Sequence, residues 1–327
     1  MKKVIIGIHG LGNKPPEDLL KKWWRDAMLE GFAAHGINKE LPTFELIYWA
    51  DIIYVKPLDV YERDVDSQYY MDEPYVKASD YEDEDQHPIR QKFNDFVSEQ
   101  LNKIFLNQDK TLNYSTITNI LLNRYFKDLE LYYKDENYER GIPSFTIKEK
   151  IRERVAQVIR RYKGYDICIV AHSMGSIIAY DVLSYVIPEI KIQTFITIGS
   201  PLGLPVIISK IAAEQSRVNG VNNYISTPAG IEWGWFNLTD IKDPIAINYK
   251  LSDDFSKNAY GVYPVDYLVY NNYEINRTKN PHKSYGYLRT KEFSLIVASF
   301  IEMKSLNYLQ RKLKIFKAIL TGKRNSG

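Results

Sequence analysis

The chain has 327 residues and a formal net charge of +2, which suits one large domain with an insertion or two ordinary domains. Balanced charge and an apolar fraction of 45% exclude a disordered chain and a bulk nucleic-acid binder. The single cysteine, Cys168, lies in an apolar run without a disulfide partner, which predicts a reducing compartment. Since no run approaches the ~18 apolar residues of a membrane span, we expect a cytoplasmic protein.

The first 50 residues predict a strand, a helix and a second strand. Residues 4–8 form an apolar run, and residues 43–49 form another. Between them, two prolines and an acidic first turn begin an apolar periodic segment that ends near Ala34. This order is typical of a parallel unit in an α/β protein.

Residues 51–145 interrupt that alternation, because none of them predicts a core strand. Residues 59–85 are acidic and rich in tyrosine, and residues 89–105 and 117–133 carry apolar side chains at helical spacing. The acidic run lacks the glycine-punctuated spacing of a calcium loop, so we interpret it as a solvated surface and expect no metal site there. We interpret the whole segment as a largely helical cap inserted into the core.

The alternation resumes over residues 146–304. Together with residues 1–50, this segment predicts an α/β core with a doubly wound, mostly parallel sheet. The predicted strands are residues 167–171, 193–198, 231–238 and 265–270, and the predicted helices are residues 147–162, 206–215 and 292–303, with a further helix between residue 173 and Pro188.

Residues 305–327 follow the core as a basic amphipathic helix and a tail. Leucines and one phenylalanine share a stripe, and lysines and an arginine lie elsewhere. Such a helix docks on its own core, pairs with a second subunit, or makes peripheral contact with an anionic membrane. The sequence favours the first two together and leaves the oligomeric state open.

A strand-to-helix junction carries the sequence A-H-S-M-G, one substitution from the nucleophile-elbow pattern G-x-S-x-G. That tight turn needs small residues two before and two after the serine, and Ala171 and Gly175 supply them. It would place the Ser173 hydroxyl at a helix N-terminus, where N–H groups favour developing negative charge. The alternative is a serine that only caps the helix, but the apolar flanks favour the elbow.

A nucleophilic serine needs a base, and the chain has five histidines. With a nucleophile elbow the chain order is serine, acid, histidine, and only His282 lies beyond the last core strand. The acid should follow the preceding strand, where Asp240 and Asp243 both lie. Because Pro244 fixes the turn behind it, Asp243 is preferred, and Asp240 remains the alternative.

The same fold logic predicts two backbone donors for an oxyanion hole. One is the N–H of Met174, which follows the serine, and the other is the N–H of Leu11 in the loop after the first strand. The spacings of nucleotide and zinc motifs are absent, so we expect no metal and no organic cofactor. Residues expected to line the site are His9, Gly10, His172, Gly175 and Ser200.

Five motifs in this order resemble the α/β-hydrolase superfamily, in particular bacterial lipase-like and esterase-like serine hydrolases. They are HGLGN, AHSMG, GSPLGLP, DPIA and HKSYG. The resemblance implies an α/β-hydrolase fold without the usual first two strands, a triad of Ser173, Asp243 and His282, and Leu11 and Met174 as oxyanion donors.

The resemblance also implies hydrolysis of a carboxylic acyl ester, either a small molecule or a lipid. A thioesterase is compatible with the same residues. The alternative from another class is a non-catalytic protein that uses the acidic, tyrosine-rich insertion as a protein-binding surface.

Overall fold

The structure is a computed structural model of the chain. The predicted cap helix at residues 89–105, the acidic run at residues 80–86 and the predicted C-terminal helix lie outside the described residues, as does most of the predicted helix at residues 117–133. The described residues are 1–78, 129–133, 138–139, 142–143, 145–219, 225–246 and 248–304.

Six parallel strands form the central sheet, which confirms the α/β class. The strands are β1 Lys3–Ile8, β2 Thr43–Ile47, β3 Asp166–His172, β4 Ile192–Ile198, β5 Ile231–Thr239 and β6 Pro264–Leu268. Their order in the sheet is β2-β1-β3-β4-β5-β6, and every neighbouring pair is parallel.

Helices cover both faces of the sheet. They are α1 Glu17–Ala34, α2 Ile147–Arg161, α3 Met174–Asp181, α4 Pro205–Asn219, α5 Ser284–Leu288 and α6 Lys291–Glu302. Alternate side chains of β1 enter two different cores, with Ile6 on the face of α2, α3 and α4 and Ile5 on the face of α1, α5 and α6. A reciprocal capping box between Thr146 and Glu149 begins α2.

The smaller elements were not predicted. Helix α3 continues as a π-helical turn, and α5 lies in a segment that the sequence predicts to be a loop. Short helical turns, π or 3₁₀, are Val182–Val186, Ala50–Ile52 and Leu251–Asp253. Two-residue strands pair Tyr138–Glu139 with Ile142–Pro143, Ile225–Ser226 with Phe255–Ser256, and Glu274–Ile275 with Thr278–Lys279.

The strand order reverses direction between β1 and β3, which are neighbours in the sheet. The chain leaves β1 toward β2 at one edge and returns at β3 on the other side of β1. In open parallel sheets, ligands bind beyond the carboxyl ends of the strands at such a reversal. The loops at that point begin at His9 and Ser173. Within the described part of the chain, no helix is both long and apolar enough to cross a bilayer.

Candidate active site

Ser173 lies between β3 and α3 in a backbone conformation that is unusual for a serine. Its φ is 53° and its ψ is −129°, a region that costs a non-glycine residue on the order of 1–3 kcal/mol. It occupies the N-cap position, yet its side chain makes no capping hydrogen bond. A serine that only caps the helix would use the extended backbone that N-caps adopt, so Ser173 does not have the geometry of a capping serine.

Close backbone packing holds this turn against the end of β1. A Cβ atom on Gly175 would lie 2.5 Å from the carbonyl oxygen of Ile8 and 2.7 Å from that of His9. A Cβ atom on Gly10 would lie 2.7 Å from the Cβ of Ser173. The end of the neighbouring strand β1 therefore requires a small residue at 175.

The structure brings the three predicted triad residues into one hydrogen-bonded chain. His282 Nε2 lies 3.0 Å from Ser173 Oγ, and its Nδ1 lies 2.9 Å from both carboxylate oxygens of Asp243. With its hydrogen on Nδ1, His282 donates to the Asp243 carboxylate, and the lone pair on Nε2 accepts a hydrogen bond from the Ser173 hydroxyl. Ser173 and Asp243 are buried, while the His282 side chain is 12% exposed.

The two candidate acids have different positions. Asp243 contacts His282 and also accepts hydrogen bonds from the Ile245 N–H, at 2.9 Å, and the Tyr287 hydroxyl, at 2.7 Å. Asp240 accepts instead from the N–H groups of Lys242 and Asn271 and closes a turn. The structure therefore places Asp243, and not Asp240, beside the imidazole.

Tyr287 joins the two aspartates and was not among the predicted site residues. Its hydroxyl donates to Asp243 Oδ2 and accepts from the Asp240 N–H at 2.9 Å. Burial, followed by the charges of both carboxylates, raises the pKa of Tyr287 well above its ordinary value, so the hydroxyl keeps the proton that it donates. Nothing local in the sequence marks this tyrosine, because the contact joins α5 to the loop after β5.

The loop that carries His282 is fixed from two sides. The His172 Nε2 lies 2.7 Å from the His282 carbonyl oxygen, and the Asn271 side-chain amide donates to the carbonyls of Pro281 and Lys283, each at 2.8 Å. Burial and the charge of His282 lower the pKa of His172 well below its ordinary value. The neutral His172 ring therefore serves as a donor that holds the loop carrying His282.

His9 orients the peptide that contains the Leu11 N–H. Its Nε2 accepts from the Trp49 N–H at 3.1 Å, so its Nδ1 carries the hydrogen and donates to the Gly10 carbonyl at 2.8 Å. The peptide between Gly10 and Leu11 is trans, so the Leu11 N–H points away from the His9 ring. Lys14 Nζ donates to the Leu11 carbonyl on the far side of that residue.

The other predicted donor and Ser200 lie around the start of α3. Met174 is the first residue of α3, so its N–H is one of the four that have no acceptor within the helix. Ser176 Oγ donates to the Ser173 carbonyl at 2.5 Å and lies 2.7 Å from Ser200 Oγ. Ser200 therefore supports the turn through Ser176.

No cluster of three or more histidine, cysteine or carboxylate side chains suited to a metal ion is found among the residues that the structure describes. The arrangement as a whole can take a proton from the Ser173 hydroxyl and hold it on an imidazole beside a carboxylate.

In comparisons with known proteins, no family model and no curated protein matched the chain.

Proposed function

We propose that this chain is a lipase-like or esterase-like serine hydrolase with an α/β-hydrolase fold that lacks the usual first two strands. It would cleave carboxylic acyl esters through an acyl-enzyme on Ser173. The observation that carries the proposal is the chain of hydrogen bonds from Ser173 through His282 to Asp243, with distances of 3.0 and 2.9 Å. The order of these residues along the sequence matches that of the superfamily.

The proposed reaction begins with attack of Ser173 Oγ on the ester carbonyl carbon. His282 Nε2 takes the hydroxyl proton, and the Asp243 carboxylate stabilises the resulting imidazolium through Nδ1–H. Collapse of the tetrahedral intermediate breaks the ester bond, and His282 returns the proton to the leaving alcohol. Water then attacks the acyl-enzyme with His282 again as the base, which releases the acid and restores Ser173.

The proposed oxyanion hole uses the Leu11 and Met174 N–H groups. Met174 supplies a donor at the N-terminus of α3, where the helix dipole adds to its effect. The hydrogen bond from His9 to Gly10 holds the peptide whose other side carries the Leu11 N–H. Loss of one such donor in a serine protease costs on the order of 3 kcal/mol, which is about a hundredfold in rate, so each donor contributes less than a triad residue but measurably.

The strained backbone at Ser173 favours an enzyme over a non-catalytic binding module. Unusual dihedral angles persist only where the surrounding structure enforces them, and they cluster at functional sites. A binding protein that used its acidic insertion would gain nothing from a buried serine with positive φ and no capping bond.

We expect wild-type protein to react with a fluorophosphonate probe and to hydrolyse p-nitrophenyl esters, and Ser173→Ala to do neither. Ser209→Ala, which removes the hydroxyl of an exposed serine on α4, is the matched control and should retain both. Equal labelling of wild-type protein and Ser173→Ala would refute the assignment. A series of acyl esters and acyl thioesters of increasing chain length then separates a lipase, a short-chain esterase and a thioesterase.

A further inference from the structure

Residues 73–78, here named the arm, belong to the insertion and contact the loop that carries His282. The Tyr75 hydroxyl donates to Glu30 at 2.8 Å, and Arg289 donates to the Val76 carbonyl at 2.8 Å. Arg289 and Glu30 are themselves an ion pair at 3.3 Å with side chains 1% and 9% exposed. The arm is therefore fixed to α1 and to the residue that follows α5.

One end of the arm reaches the residues on either side of His282. The Asn280 side-chain amide donates to Glu73 Oε1 at 2.6 Å, and Lys283 Nζ lies 3.0 Å from Glu73 Oε2. The side chains of Lys283 and Glu73 are only 24% and 27% exposed. Asn280 also accepts from the His282 N–H at 2.9 Å, so the carboxylate is two hydrogen bonds away from the backbone of the base.

The Glu73 carboxylate also acts on His282 through its charge. Burial opposes ionisation of Glu73, but the Lys283 charge, the hydrogen bonds from Asn280 and Lys283, and the His282 charge outweigh it, so the pKa of Glu73 lies below its ordinary value. The interaction of two charges is mutual, so the Glu73 carboxylate favours the imidazolium form of His282, and the Lys283 ammonium disfavours it.

The surroundings of His282 contain several other titratable groups, and apart from Glu73 and Lys283 they are unchanged in the variants described below. Among the described residues, the titratable groups that contact the imidazole are Ser173, Asp243 and His172. Tyr287 acts on it through Asp243, and Glu73 and Lys283 act on it by charge from beside its loop. His172 is held neutral by burial, and the Lys14 charge acts on it as well. Glu73 and Lys283 form an ion pair of opposite charges beside the loop that carries His282.

We propose that Glu73 is a positioning residue for the base: its carboxylate holds the His282 loop through Asn280 and Lys283 and stabilises the imidazolium that forms during the reaction. This role rests on the proposed function, because an imidazolium forms only if His282 takes a proton from Ser173. Part of the machinery of the active site therefore comes from the segment between the two parts of the core.

A titration of His282 by NMR tests the electrostatic part without any turnover. The Cε1–Hε1 signal of His282 is assigned in the full-length protein with His282→Asn and followed against pH in Glu73→Gln, Lys283→Gln and Asp72→Asn. The first two variants break the same ion pair but remove opposite charges. Asp72→Asn removes a carboxylate from the adjacent, exposed position and is the matched control.

We expect the midpoint of the His282 titration to move to lower pH in Glu73→Gln and to higher pH in Lys283→Gln. In Asp72→Asn it should move less than half as far as in Glu73→Gln. A role limited to anchoring the arm would change the first two variants in the same direction or leave both midpoints unchanged, and either result overturns the proposal.

Ester hydrolysis supplies the second readout. Glu73→Gln should lower kcat by about tenfold with little change in KM and move the acid limb of the pH profile to lower pH. An unchanged kcat would count against the positioning role. If wild-type protein neither hydrolyses esters nor reacts with fluorophosphonate, the proposed function fails, while the NMR titration still decides whether Glu73 acts on His282.

Discussion

The nucleophile side of the candidate site, where β1 and β3 end, differs from the base side, formed by the loops after β5 and β6, in what holds it in place. On the nucleophile side, backbone atoms approach so closely that a Cβ on Gly10 or Gly175 would lie 2.5 to 2.9 Å from its nearest neighbours. On the base side, Asp243 and His282 are held by side-chain hydrogen bonds from Tyr287 and Asn271 and by the backbone amide of Ile245.

This difference separates two kinds of sensitivity. A steric constraint fails when a side chain is added, because the strand ends that surround Ser173 are buried and cannot move apart. A hydrogen-bonded constraint fails when a donor, an acceptor or a charge is removed. We therefore expect substitutions without a change of volume to damage the base side, and small increases in volume to damage the nucleophile side.

The largest effect should come from Asp243→Asn, which keeps the volume of the side chain and removes its charge. An amide beside His282 Nδ1 favours the wrong tautomer and no longer stabilises the imidazolium, and the equivalent change in a serine protease costs about 10⁴-fold in kcat. We expect a loss of roughly 10³-fold or more in ester hydrolysis.

Asp240→Asn is the matched control, since Asp240 lies in the same turn and shares the Tyr287 contact through its backbone N–H. It should reduce kcat by less than about tenfold, with a loss of stability of about 1 kcal/mol from weaker bonds to the backbone amides. Similar rates for Asp243→Asn and Asp240→Asn would show that the Asp243 carboxylate is not the third member of the triad.

The next largest effect is a loss of stability at low pH, and it comes from His9 on the nucleophile side. Burial and the Lys14 charge lower the pKa of His9 to about 3, against the opposing hydrogen bond to Gly10, from an ordinary value of 6.5. Between these two values the unfolded chain binds a proton that the folded protein does not. The free energy of unfolding should therefore fall as the pH falls, by roughly 3 kcal/mol between pH 6.5 and pH 4 from this residue.

Urea unfolding at several pH values checks this. His9→Gln should flatten the dependence, and His35→Gln, at the end of α1, should leave it as steep as in the wild type. Parallel curves for wild-type protein and His9→Gln would show that His9 does not stay neutral in the folded state.

The same comparison explains what could be predicted from the sequence. Each core strand that the sequence predicts is found, with ends that differ by at most two residues, because the apolar runs and turn residues that define a buried parallel strand are local. A tight turn at Ser173 was predicted for the same reason, since its small residues Ala171 and Gly175 lie only two positions away. The predicted Asp243 was preferred over Asp240 through the adjacent proline, and the structure places it beside His282.

On the base side, only the order of the serine, the acid and the histidine along the chain could be used for prediction. Tyr287 contacts Asp243 from 44 residues away, and Glu73 contacts Lys283 from 210 residues away. Neither contact produces a periodicity or a motif in the sequence, because the two partners are brought together only by the fold. The short helix α5 was missed because its five residues are held by tertiary packing, and an isolated helix of that length is unstable.

The smallest of these effects is expected for Gly10→Ala, and it tests the steric half of the comparison. The backbone of Gly10 is not in the left-handed region, so the added methyl acts through contact alone, at 2.7 Å from Ser173 Cβ and 2.9 Å from His172 Nδ1. We expect a loss of stability of about 2 kcal/mol and fluorophosphonate labelling slowed by about tenfold, because the methyl displaces the nucleophile. Gly164→Ala is the matched control, since its Cβ would meet nothing within 4 Å, and it should be neutral or slightly stabilising. If Gly10→Ala labels as fast as Gly164→Ala, close backbone packing does not fix Ser173, and the nucleophile side must depend on hydrogen bonds such as that from Ser176 in the same way as the base side.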